Sequence, residues 1–182
     1  AGFKIFSIAN NHAGDWGREA FLDTIKNLQN QQIAAVGNRR SSETVDDLRI
    51  IEVKDYQIGF LAATDVGPDW LKPGETEPGL WLAGDSRWPE AISEAAPQVD
   101  FLVVSYHFGD EYQTEPSVRQ RKLAELAIDN GASIVIGHHP HVLQPVETYQ
   151  GGLIAYSLGN FIFDQDFSEA TKRGGMLKVV LD

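Results

Sequence analysis

Two apolar runs without a polar break, inside "DFLVVSY" (residues 100–106) and "SIVIG" (residues 133–137), bracket the stretch "SVRQRKLAELAIDNG". No other feature constrains the fold as much. Short continuous apolar runs read as strands buried on both faces, a situation typical of parallel sheets covered by helices. The stretch between them is an amphipathic helix closed by Gly131. Strand, helix and strand in that order make a crossover unit of an α/β protein.

The rest of the chain extends this pattern. "KIFSIA" (Lys4 to Ala9) reads as a buried strand. The helix after it has Phe21, Leu22, Ile25 and Leu28 at helical spacing, with Asp15 as its expected N-cap. "IAAVG" is a short strand, "RRSSETVDD" a polar loop, and "LRIIEV-KDY-QIGFLAAT" a hairpin. Residues 65–84 hold three of the eight prolines and four glycines, which predicts a long irregular loop. A helix is expected over residues 88–96, a hairpin turning at Gly151-Gly152, and a terminal strand in "GMLKVVL". The two hairpins make the sheets mixed. Repeats, low-complexity tracts and linkers are absent, so residues 1–182 are read as a single domain.

Charge and composition exclude several functions. The formal net charge is −11, from 26 acidic and 15 basic residues, which argues against nucleic-acid and anionic-membrane binding. With no cysteine there is neither a disulfide framework nor a thiolate metal site, so any metal must be held by His, Asn, Asp or Glu. No apolar run approaches the roughly 18–20 residues of a membrane span. The segment from Phe3 to Ala9 is too short for a signal peptide, and a strand-like run begins almost at Ala1. The chain is therefore expected to be a piece of something longer, N-terminally incomplete, with its cellular address elsewhere.

The histidines are distributed unevenly. "IGHHPHVLQ" (residues 136–144) holds three of the five in the chain. Pro140 excludes a helix interior and pushes His139 toward extended backbone, where residues two apart face the same side. His139 and His141 are thus expected to face one ligand. Asn10, Asn11 and His12 follow the first strand, His107 follows "FLVVSY", and His138, His139 and His141 follow "SIVIG". Asn160 follows "LIAYS" at a similar place. Singly, a histidine at a strand end is an ordinary loop residue, Asn10, Asn11 and Asn160 are turn or cap residues, and Asp110-Glu111 is a solvated acidic turn. The four tryptophans read as core or loop anchors. Five histidines out of five at the C-terminal ends of strands, where α/β sheets bind ligands, point to a metal or phosphate-type site. Imidazoles with Asn or carboxylate oxygens suit Zn, Mn, Fe or Ni, and a histidine beside the metal can protonate a leaving group.

These blocks resemble a known family. "SIANNHAGDWG", "VSYHFGDEY", Pro116-x3-Gln120-x2-Leu123-Ala124, "GHHPHVLQPVETYQGGLIAYSLGNFIFD" and "TKRGG" are similar to successive blocks of the CapA family of bacterial capsule and poly-γ-glutamate synthesis proteins. That family lies within the calcineurin-like metallophosphatase superfamily. The resemblance runs from about Lys4 to the C-terminus. It implies an αββα sandwich of two mixed sheets, here lacking its N-terminal strands. It further implies Asn11, His107, His139 and His141 as metal ligands and His12 as general acid. Asn10, Asp15, Asp110, Glu111, His138 and Asn160 are kept as supporting or undecided residues. The superfamily's opening acidic blocks, which bridge two metals, have no match before Asn10, so Asp15, Asp65, Asp110 or Asp164 would have to substitute.

The resemblance implies a metal-dependent hydrolase acting on a phosphoester or amide bond, with divalent Mn, Zn or Fe as cofactor. The rival reading is a non-catalytic component that binds polymer or scaffolds a capsule synthesis complex. Partners implied are an anionic polymer or phosphoester and membrane-bound synthase subunits, at the bacterial surface or periplasm. Without bridging aspartates the site is expected to bind at most one metal, weakly, or none. An unpaired sheet edge is expected to favour a homodimer or to leave the chain marginally stable.

Overall fold

The apolar runs do form the middle of one sheet. In the computed structural model, which describes residues 2–41 and 47–180, the elements run in this order. They are β1 (Ile5–Ser7), α1 (Gly17–Asn30), β2 (Ala34–Val36), β3 (Asn38–Arg39), β4 (Arg49–Val53), β5 (Tyr56–Thr64), β6 (Gly79–Leu80) and α2 (Trp88–Ala95). Then come β7 (Phe101–His107), α3 (Val118–Asp129), β8 (Ile134–His138), β9 (Val146–Tyr149) and β10 (Gly152–Ala155). Six strands form a mixed sheet in the order β4-β5-β7-β8-β10-β9. Its four inner strands are parallel, and the antiparallel edges β4 and β9 are supplied by the two hairpins. β1 and β2 pair in parallel, and β3 pairs with β6.

Alternation along the strands builds four layers. Leu61, Ala63, Leu102, Val104, Val135 and Ile154 point to one face and pack under α2 and α3 through Trp88, Ile92, Leu123 and Ala127. On the other face, Ala62 of β5 meets Val36 of β2 and Ala9, just beyond β1. The opposite side of that small sheet, Ile8 and Ala35, packs on Phe21 of α1. Helices, large sheet, small sheet and helix give the αββα order. α3 begins with a capping box in which Ser117 and Gln120 bond reciprocally.

Some expectations need correcting. Asp15 does not cap α1, whose N-cap position is Trp16 without any side-chain cap; the Asp15 carboxylate bonds His12 instead. "GMLKVVL" forms no strand over its described residues 175–180; Met176 and Val180 are exposed, and only Gly174 makes an isolated bridge, to Gly159. A strand needs a partner for its backbone groups, and the described residues supply none beyond that bridge. Trp81 and Trp88 are fully buried, whereas Trp16 and Trp70 lie at the surface. Residues 42–46 of the expected polar loop lie outside the described residues.

Candidate metal centre

Two neighbouring strands end together. His107 closes β7 and His138 closes β8, and they are register partners. The chain then turns sharply, but not in the extended geometry expected around Pro140. His139 has φ +101° and His141 φ +59°. Proline disfavours the α region for the residue before it, and positive φ also avoids that region. Non-glycine residues held there are strained and cluster at functional sites. The histidines still converge, by two left-handed residues rather than by strand alternation.

Their rings gather with those of neighbouring strand ends. The ring centres of His107 and His139 lie 4.8 Å apart, and those of His139 and His141 5.9 Å apart. Asn11 Oδ1 lies 2.9 Å from His107 Nε2. Glu111, His139 and His141 each place a ligand-type atom within 4.8 Å of the others. Sequence reading left Glu111 undecided in an acidic turn. What brings it in is the backbone bond from Tyr112 N–H to the Pro140 carbonyl, 2.8 Å, which ties that turn to the His-Pro-His bend.

The remaining candidates sort by contact. His12 Nδ1 lies 2.8 Å from Asp15 Oδ2, and the His12 side chain is largely exposed. The Asn10 side chain accepts the His12 backbone N–H, so Asn10 acts as the turn residue while Asn11 faces His107. Asn160 Oδ1 lies 2.8 Å from His141 Nδ1. His138 ends β8 outside the Glu111–His139–His141 group. Asp65 is taken by a bidentate bond from Arg119, and Asp110 and Asp164 are exposed and outside the group. Among the described residues, Glu111 is thus the acidic residue that joins the histidines.

Burial favours the neutral form of His107, His138 and His139, the form that binds metal. Desolvation, with neighbouring histidines adding to it, pushes His107 down to about 3, and desolvation also lowers His138 and His139. His139 Nδ1 is buried with no hydrogen-bond partner. A buried ring nitrogen without a partner is costly unless something binds it. Nitrogen and oxygen donors of this kind fit a divalent transition-metal ion.

The chain matches a family described as bacterial capsule synthesis protein PGA_cap over residues 1–165. It is 40% identical over 167 residues to the PGA biosynthesis protein CapA of Bacillus subtilis, covering 91% of this chain and 44% of that protein. It is 36% identical over 172 residues to the capsule biosynthesis protein CapA of Bacillus anthracis, covering 92% and 42%. The chain therefore spans less than half the length of these relatives. Among solved structures it is similar to the NAD nucleotidase of Haemophilus influenzae, with TM-score 0.57 and 13% identity over 85% of this chain and 30% of that one. This likeness extends to the fold alone: a mixed α/β arrangement with the αββα order expected from the sequence.

Proposed function

This chain belongs to the bacterial capsule synthesis protein family PGA_cap, and from that membership we propose that it serves capsule or poly-γ-glutamate synthesis as a metal-dependent hydrolase of a phosphoester or amide bond. The observation carrying this reading is the convergence of Asn11, His107, His139, His141 and Glu111 at one sheet edge, with the His12–Asp15 pair on the same segment as Asn11. Asn11 Oδ1, His107, His139, His141 and Glu111 are the residues that would hold a divalent Mn, Zn or Fe ion. Such an ion, when bound, polarises the scissile phosphoryl or acyl oxygen and makes a bound water acidic.

The chain's own groups account for the proton. Asp15 accepts a hydrogen bond from His12 Nδ1–H, so the protonated ring carries its transferable proton on Nε2. As water adds to phosphorus or carbon, giving up one proton to solvent, and the bond to the leaving oxygen or nitrogen breaks, the imidazolium of His12 protonates that leaving atom through Nε2–H and becomes neutral. Solvent then reprotonates His12, which is exposed. Glu111 contributes a carboxylate that would offset cationic charge beside His139 and His141.

A surface association and a place among synthase subunits accompany this role, in line with relatives named for capsule biosynthesis; among the described residues no helix is long and apolar enough to cross a membrane. The test compares His139→Ala with His12→Ala for Mn²⁺ content and for hydrolysis of a phosphoester and of a γ-glutamyl amide. His139→Ala should lose metal, and His12→Ala should keep metal while turnover falls about 100-fold or more. Polymer binding without turnover in the wild-type chain would favour the scaffold reading.

A further inference from the structure

The segment after the Asn160 turn folds back over His141 and makes a chain of directional bonds. Asn160 Nδ2 donates to the Thr171 carbonyl at 2.9 Å and to Gln165 Oε1 at 3.2 Å. Thr171 is buried, and its hydroxyl donates to the Gln165 carbonyl at 2.7 Å. A backbone carbonyl only accepts, so the Asn160 amide is fixed with its nitrogen toward Thr171 and its Oδ1 toward His141. Gly174 bridges Gly159, and a Cβ on Gly174 would stand 1.9 Å from the Asn160 carbonyl oxygen. The backbone there closes too tightly for a side chain.

Because Asn160 Oδ1 can only accept, the 2.8 Å contact to His141 requires the hydrogen to sit on Nδ1. We infer that Asn160 is a positioning residue: held by Thr171 and Gln165, it fixes His141 as the Nδ1–H tautomer and leaves the Nε2 lone pair to act as a ligand. Tyr112 and Phe163, with ring centres 6.0 and 5.4 Å from that of His141, hold the ring's orientation. Partners that hold the second nitrogen of a ligating histidine set its tautomer and basicity. The reach toward a metal rests on the proposed function; the tautomer does not.

The experiment uses the full 182-residue chain, ¹⁵N-labelled and metal-free, at a pH where the imidazoles are neutral. Two-bond ¹H–¹⁵N spectra, with the His141 signals identified by their loss in His141→Gln, should show the hydrogen on Nδ1. A hydrogen on Nε2 in the wild-type chain overturns the inference without any Asn160 variant having to fold. In Asn160→Ala the signals should move to the mixed tautomers of a free imidazole, and Mn²⁺ affinity by calorimetry should fall about 10- to 100-fold. Unchanged tautomer and affinity in a folded Asn160→Ala would also overturn it. An Nδ1–H spectrum in a wild-type chain that binds no Mn²⁺ supports the positioning role and overturns the metal reading alone.

Discussion

Replacing Gln120 with leucine tests how the loop carrying Glu111 is held. The side chain is fully buried, and each of its amide groups has one partner. Its Oε1 accepts the Ser117 N–H at 2.9 Å, and its Nε2 donates to Gln144 Oε1 at 2.8 Å. Gln144 in turn donates to the carbonyls of Gln113 and Glu115, which close the loop carrying Glu111. Leucine leaves the buried Gln144 Oε1 without a donor, costing about 1–3 kcal/mol, and frees a half-buried Ser117 N–H at about 1 kcal/mol more. Burial of the leucine methyl groups offsets about 1 kcal/mol. The net loss is about 1–3 kcal/mol, which lowers Tm by roughly 2–12 °C in a chain of this size. Gln120→Glu should do no better. To donate to a carboxylate, Gln144 would have to turn its amide, and its Oε1 would then face the two carbonyls. Urea unfolding followed by circular dichroism measures both variants. A loss below about 0.5 kcal/mol for either would refute the directional reasoning.

Three further outcomes are expected. Gly137→Ala should strongly destabilise the fold, because a Cβ there would lie 1.9 Å from the Tyr156 carbonyl oxygen and 2.5 Å from Phe108; soluble yield and melting temperature report it. In the metal-free chain, His107 binds a proton only near pH 3 when folded but near its ordinary 6.5 when unfolded, so the unfolded state holds more protons between those values. Stability should therefore fall as pH drops through that window, by up to about 1.4 kcal/mol per unit from this group, and His107→Asn should flatten the slope of ΔG against pH. On the proposed function, Asp15→Asn should lower kcat about 10-fold or more with Mn²⁺ content unchanged, since it disturbs the His12 tautomer and not the proposed ligands; steady-state kinetics with metal analysis would show it.

The strands and helices were legible where patterning is local. Continuous apolar runs announced β7 and β8, and the parallel pairing of those strands placed the histidines at one edge. Convergence of His139 and His141 was also legible, although its cause was not: the sequence offers no sign that two non-glycine residues take positive φ. Glu111 was ambiguous because its placement depends on a backbone bond between Tyr112 and Pro140, residues far apart in the chain. Asp15 read as a helix cap from its position alone, but a nearby imidazole competed for the same carboxylate and won. The apolar "GMLKVVL" carried a strand's composition without saying what it would pair with.

The left-handed backbone at His139 and His141 sets selection for stability against selection for activity. Glycine occupies such φ values without steric penalty, whereas a side chain there costs of order 1–3 kcal/mol. A library sorted only for folding or thermal resistance should drift toward glycine at both positions and lose the imidazoles as it does so. Sorting the same library for retained Mn²⁺ should hold histidine in place against that drift. The depth to which each position resists glycine under the two regimes would measure how much conformational strain this bend maintains for its ligand.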